Sequence, residues 1–217
     1  MDFAVKVLLA YLLGSVIGSL VIGRLRGGVD IRQVGSGNPG GTNALRTQGL
    51  AFGLWVIVID VVKGLIAAAV IPSLHLPLPA PAAPQLAAWL APACALAAVV
   101  GHVFPAWHEF RGGKGVATLV GAYAGLELAL LAPLMLSWFA VIVVSGFVGL
   151  SSIAAALAMP VYLLMRDGAR MTPLLAFALA CAALVAWTHR GNVRRMQAGT
   201  EPRARKLWLL GRGRHRG

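Results

Sequence analysis

Apolar runs without a single charged side chain recur along this chain, as at residues 50–59 and 133–145, and no other feature constrains its fold as strongly. A soluble core cannot hide that much apolar surface, because a globule of this size still leaves much of its chain in contact with water. Of the 217 residues, 59% are hydrophobic and 12% charged, where an ordinary soluble domain carries about 25% charged residues. Mean hydropathy is +0.79. Lipid is therefore the expected solvent for most of the chain.

A helix needs roughly 20 residues, and at least about 17, to cross the hydrocarbon core. Residues 3–23, 50–71, 86–106 and 172–188 meet that length. They are separated by a basic segment at 24–49, a proline-rich turn at 72–84 and a glycine-rich basic segment around Arg111 and Lys114. The first run has Asp2 ahead of it, Lys6 within it and no small-residue cleavage site before Arg24, so it is expected to stay as a span. Residues 115–165 hold more apolar sequence, with breaks expected near 132–133 and 146–152.

Cationic connections favour the cytoplasmic side. Residues 24–46, residues 111–114 and the chain after His189 should share that side, which requires an even number of crossings between Lys114 and His189. With 172–188 as one crossing, 115–165 must supply an odd number: three short spans, or one long span with a re-entrant piece. The expected fold class is thus an all-α integral membrane protein of about seven short transmembrane helices, N-terminus outside, with its polar loops cytoplasmic. Arg166 and Arg170 then fall outside, partly offset by Asp167. Residues 1–200 are expected to form the membrane domain and 201–217 a basic cytoplasmic tail.

Net charge is +12, concentrated in the connections and in the last 29 residues, where Arg190, Arg194, Arg195, Arg203, Arg205, Lys206, Arg212, Arg214 and Arg216 face a single acid, Glu201. Such a tail is expected to lie on anionic lipid headgroups, and no nucleic-acid partner is expected. Cys94 and Cys181 sit inside apolar runs without C-x-x-C spacing and are expected to be buried small hydrophobes. No metal or cofactor is expected.

Three polar segments carry the candidate chemistry. Segment one runs Gly35-Ser36-Gly37-Asn38-Pro39-Gly40-Gly41-Thr42-Asn43-Ala44-Leu45-Arg46. Successive backbone N–H groups in such a glycine-rich turn form a nest for an anion. Ser36, Thr42 and Asn43 add neutral donors, and Arg46 offers a planar fork for two phosphate oxygens. It is not a phosphate-binding loop of the Walker type, since the Gly-Lys-Ser/Thr ending is absent. Segment two, from Gly101 to Gly115, places Gly112 and Gly113 before Lys114 at the start of the next apolar helix, a second anion site built on a helix N-terminus. His102 is expected to brace this loop and His108 to be solvated. Segment three begins His189-Arg190-Gly191-Asn192 and is expected to continue the last span, with His189 and Asn192 on one face. Asp60 and Lys63, three residues apart in the second span, are expected to neutralise each other, while Glu127 calls for an interface position, a proton or a partner from another span.

These segments, in this order between these spans, resemble the bacterial inner-membrane family of acyl-phosphate-dependent glycerol 3-phosphate acyltransferases. Residues 35–46, 101–118 and 189–194 with Gly199-Thr200-Glu201 are similar to that family's three cytoplasmic motifs, and Asp60, Lys63 and Gly64 to a feature of its second span. Gly41 replaces a usual alanine, Pro39 and Trp107 also differ, and the arginine-rich end is extra; none removes a donor or a charge.

The resemblance implies acyl transfer from a fatty acyl phosphate to the 1-hydroxyl of glycerol 3-phosphate, giving lysophosphatidic acid and phosphate. Ser36, Arg46, Lys114, His189 and Asn192 are then the expected catalytic residues. Gly37, Asn38, Gly40, Thr42, Asn43, His102, Gly112, Gly113 and Arg194 are the expected substrate-binding residues. Neither His75, His102, His108, His189 nor His215 has an aspartate five residues on, so a His-x4-Asp base is absent and substrate assistance is expected, with His189 as the alternative base. A carrier for organic phosphates is the competing function, disfavoured by the short chain and by glycines that cluster in connections. Asp167-Gly168-Ala169-Arg170 prompts a CDP-alcohol phosphotransferase reading, which fails for want of the other aspartates.

Overall fold

The computed structural model describes residues 1–77 and 84–210. The expectations for Arg212, Arg214, His215 and Arg216, and for the middle of the proline-rich turn, lie outside them. Every regular element among the described residues is helical. Contacts divide the chain into two units, Met1–Leu128 and the remainder from Ala129.

The first unit opens with α1 (Asp2–Gly14) and α2 (Gly18–Leu25), whose axes differ by 48°, so the first apolar run is a broken helix. Within α1, Lys6 is buried but matched: it pairs with Asp2 at 3.0 Å and donates to the Pro72 carbonyl at 3.0 Å. Then follow α3 (Gly41–Gln48), α4 (Leu50–Ala69), α5 (Ala87–Val103) and α6 (Val116–Leu126). Along α4 the exposed stripe is Leu54, Val58, Val62 and Leu65, while Val56, Asp60, Lys63 and Ala67 are buried on the other side. Apolar out and ionisable in is the arrangement lipid demands.

In lipid, helices gain little from hiding apolar surface, so contact depends on close approach through small residues. A Cβ on Gly64 would strike the Thr118 backbone, and one on Gly121 the Val61 backbone, which brings α4 and α6 together. Gly14 against Ala98 and Gly101 against Tyr11 do the same for α1 and α5. A cluster of Ile17, Leu20, Ile31, Ala44, Phe52 and Val56 pins the polar stretch between α2 and α3 to the helices around it.

The second unit holds α7 (Leu131–Ser145), α8 (Val148–Asp167), α9 (Pro173–Thr188) and α10 (Arg190–Gln197). Thr172 caps α9 by accepting from the Leu175 amide at 3.1 Å, with Pro173 at the first helical position. α10 turns 48° from α9, so segment three departs from the last span instead of continuing it. Arg166 ion-pairs with Asp167 at 2.6 Å. Residues 201–210, expected as part of a basic tail on lipid headgroups, fold back on the turn between α7 and α8. The Ala204 amide donates to the Gly146 carbonyl at 2.7 Å, and Trp208 Nε1 to the Val144 carbonyl at 3.0 Å. Arg203 donates to the Ser145 carbonyl at 2.9 Å, its guanidinium 4.3 Å from the Phe147 ring and 4.1 Å from that of Trp208. A planar, weakly hydrated cation stacks on aromatic faces, which ties this exposed end to the α7–α8 turn.

Among the described residues, four helical stretches are long and apolar enough to cross a bilayer: Leu50–Ser73, Pro84–Val103, Leu128–Ser145 and Val148–Asp167. Counting each bent pair as one gives up to six. α6, with 11 residues, is shorter than a crossing requires. Residues 115–165 do contain three helices, but the first break falls at Glu127, ahead of the expected 132–133. Pro133 sits in the first turn of α7, where no backbone donor is needed, and so does not mark a break.

Candidate active site

Segment one is a loop with its own internal frame. Asp30 accepts from the Arg32 amide at 2.9 Å and from its guanidinium at 2.8 Å, closing the short turn Ile31–Gln33. That bonding holds the Asp30 carboxyl below the usual carboxylate range. Asn43, 1% exposed, ties the loop from within. Its oxygen accepts from the Ser36 amide at 3.0 Å, and its nitrogen donates to the carbonyls of Val34 at 2.9 Å and Ile31 at 3.3 Å. Both amide hydrogens of Asn43 are thereby taken, so it shapes the loop where a direct substrate contact was expected. Gly35 has φ +61° and Gly37 +71°, and a Cβ on Gly35 would overlap Asn43, so that residue must be glycine for the brace to exist. Ser36, Thr42 and Arg46 are left on the exposed side, and Gly37, Asn38 and Gly40 are half-buried.

Segment two hangs from the end of α5. The Gly112 amide donates to the Val103 carbonyl and that of Gly113 to the His102 carbonyl, each at 3.0 Å. Gly115, φ +81°, caps α6 in the left-handed region, which orients the first amides of that helix beside the half-buried Lys114. His102 does not reach outward. Its ring is 2% exposed, 2.8 Å from Lys63 Nζ through Nδ1, and its Nε2 fills the space a Gly113 side chain would need. His108, expected in solvent, is half-buried instead and lines a cavity of about 220 Å³ with Asp30, Arg32, Arg24 and Leu20. Burial, then Arg32 and Arg24, push its pKa below the ordinary imidazole value, against the pull of Asp30. The loop of segment two thus meets, through His108, the stretch 24–32 that leads into segment one.

Segment three lies in the second unit. His189, at the bend between α9 and α10, is 4% exposed, with Nδ1 2.8 Å from the Val185 carbonyl. A carbonyl only accepts, so Nδ1 carries a proton and donates it to Val185. Asn192, 7% exposed, donates to Glu201 Oε1 at 2.6 Å, and Glu201 Oε2 accepts from Arg195 Nε at 2.7 Å. Glu201 thus belongs with Asn192. The resemblance already joins Gly199-Thr200-Glu201 to residues 189–194, but Glu201 stands outside the expected site residues, although its being the one acid in a basic end was the available signal. Arg194 is exposed on α10.

Helices with lipid-facing apolar stripes, joined by glycine-rich turns of the kind that hold anions, define a multi-pass membrane protein with polar machinery on its connections. Residues 4–199 match the profile of the family described as glycerol-3-phosphate acyltransferase, and the chain belongs to that family. A glycerol-3-phosphate acyltransferase of Thioalkalivibrio sulfidiphilus is 41% identical, covering 91% of each chain. One from Bacillus velezensis is 38% identical over 94% of this chain and 98% of its own. Among solved structures, the glycerol 3-phosphate form of PlsY, an integral membrane glycerol 3-phosphate acyltransferase, superposes with a TM-score of 0.78 at 32% identity, covering 94% of this chain and 96% of that one. The lysophosphatidic acid form of PlsY gives 0.78 at 30% identity, covering 95% and 98%.

Proposed function

We propose that this chain, in the bacterial inner membrane, transfers a fatty acyl group from an acyl phosphate to the 1-hydroxyl of glycerol 3-phosphate. The ester C–O bond forms as the acyl–phosphate bond breaks, and the products are lysophosphatidic acid and inorganic phosphate, the first acylation of phospholipid synthesis. Family membership supports the acceptor, and PlsY has forms named for that acceptor and for lysophosphatidic acid. The observation that carries the reading is the turn Gly112–Gly113–Lys114, fixed by two backbone hydrogen bonds at the N-terminus of α6, a cradle for a phosphate.

An acyl phosphate is a mixed anhydride and needs no strong base. Alignment of hydroxyl and carbonyl, with stabilisation of charge on the departing phosphate, supplies most of the rate. In this reading Arg46, Lys114 and His189 hold phosphate, and Ser36 and Asn192 orient the reacting groups. Gly37, Asn38, Gly40, Thr42, Gly112, Gly113 and Arg194 complete the substrate sites, with Asn43 and His102 shaping them from behind. The hydroxyl proton passes to the dianionic phosphate of the acceptor, whose second pKa is near 6 by analogy with phosphorylated side chains. His189 is the alternative acceptor, through Nε2, because Nδ1 is engaged with the Val185 carbonyl. Substrate assistance predicts that His189→Ala raises KM, whereas a base role predicts lost kcat at unaltered affinity.

Purified protein in detergent, offered acyl phosphate, acyl-coenzyme A and acyl-carrier protein in parallel, tests the donor. Phosphate release with lysophosphatidic acid from acyl phosphate alone is expected, and turnover confined to a thioester would overturn it. Esterification without a second compartment also separates the enzyme from a carrier. Lys114→Ala and Arg46→Ala are each expected to lose nearly all turnover while remaining folded.

A further inference from the structure

We infer that Asp60 and Lys63 are positioning residues that set the glycine loop of segment one and the lysine turn of segment two, reaching the first through Gly18 and Ser19 and the second through His102. The inference rests on Arg46 and Lys114 holding phosphate as proposed above. Asp60 Oδ1 accepts from the Gly18 amide at 3.2 Å, at the first residue of α2. The next residue, Ser19, is buried and donates from Oγ to the Pro39 carbonyl at 3.0 Å, inside segment one. Lys63 Nζ lies 2.9 Å from Asp60 Oδ1, 2.6 Å from the Val16 carbonyl and 2.8 Å from His102 Nδ1. Three ammonium hydrogens thus meet three acceptors on three different segments.

His102 Nδ1 faces Lys63 Nζ and, at 3.4 Å, Asp60 Oδ1, while Nε2 lies at the place where a Gly113 side chain would be. The His102 carbonyl receives the Gly113 amide, one residue before Lys114. α1 grips the same loop: Tyr11 Oη donates to the Phe104 carbonyl at 2.8 Å, and Ser15 Oγ accepts from the Ala106 amide at 3.2 Å. One ion pair on α4 therefore branches into both anion-binding segments. Stability alone does not call for it, since replacing a buried ion pair by apolar side chains is often neutral or stabilising.

The test compares the full-length Asp60→Asn/Lys63→Met double variant with wild type in detergent, using whichever acyl donor supports turnover. Removing both charges leaves no unpaired ion in the helix packing. KM for glycerol 3-phosphate is expected to rise about tenfold or more, with kcat within about threefold and the thermal midpoint retained. A wild-type KM in the folded double variant overturns the inference. If the double variant is not monodisperse, His102→Asn, which keeps an acceptor at the Nδ1 position, is compared with His102→Leu, which has none. A near-native KM in the first and a raised one in the second is expected, and equal values overturn it. Lys114→Ala, run alongside, separates the two readings. If it is inactive while the double variant behaves as wild type, only this inference falls; if it is fully active, the phosphate assignment falls as well.

Discussion

Glu201 is a single carboxylate with two tasks, accepting from Asn192 with one oxygen and from Arg195 with the other. Hydrogen bonds with an ionised acceptor are the strong ones, and a buried donor left without one costs about 1–3 kcal/mol. Glu201→Gln turns one of those acceptors into a donor facing a donor. We expect thermal unfolding to register a loss of about 1–3 kcal/mol, and kcat to fall roughly tenfold as Asn192 loses its orientation, equivalent to about 1.4 kcal/mol. Wild-type kcat in the folded variant would remove Asn192 from the reacting groups.

His108 supplies a pH dependence whose sign follows from its surroundings. Its pKa is lowered, first by burial and then by Arg32 and Arg24. The folded loop binds fewer protons than the unfolded chain just below pH 6.5, so stability present at pH 7 drains as pH falls from 6.5 through the lowered value. Ring-proton titration by NMR should place the His108 midpoint below 6.5, and Arg24→Gln should move it upward. An unshifted midpoint in the wild type would mean that His108 stands in open water.

At the scale of elements, helices here meet through glycine faces. Gly64→Ala would push a methyl into the Thr118 carbonyl and force α4 from α6. Overpacking of this kind costs about 1–3 kcal/mol, visible as a lower unfolding midpoint in detergent. Leu54→Ala, on the exposed face of the same helix, should change stability by less than about 0.5 kcal/mol. Equal effects at the two positions would mean that α4 does not pack by its glycine side. Both bent pairs, α1 with α2 and α9 with α10, turn where a residue of functional interest sits: Gly18 beside Asp60 in one, His189 in the other. A break in a helix frees backbone groups, and side chains bonded there set the angle.

For the whole molecule, the topology expected from the cationic connections, with the N-terminus outside, would put Ser36, Lys114 and Asn192 on the cytoplasmic face. Cys94 and Cys181 are buried and should stay quiet toward a membrane-impermeant maleimide. Cysteines introduced singly at Ser36, Lys114 and Asn192 should then resist labelling from outside intact cells and react in inverted vesicles, while one at Asp2 should do the reverse. Labelling of any of the first three from outside would defeat the topology.

Lipid as solvent, helices as the elements, and the three glycine-and-cation segments were all determined by the sequence alone. These depend on run length, charge placement and residue type, which are local properties. The partners of Asn43, His102 and Glu201 were not legible there. Asn43 looks like a ligand-facing amide in one dimension, His102 like a loop brace without a named partner and Glu201 like a lone acid, and each is directed to its task by a partner far along the chain or across a turn: Asn43 by Val34 and Ile31, His102 by Lys63, Glu201 by Asn192. The bend at residues 15–17 was likewise invisible, since the apolar run continues across it; at His189 the sequence turns from apolar to basic, which marks the end of the span but not the angle of the turn. Tertiary structure decided these points, because a buried polar group takes its role from whichever donor or acceptor folding brings within about 3 Å, and sequence spacing does not encode that distance.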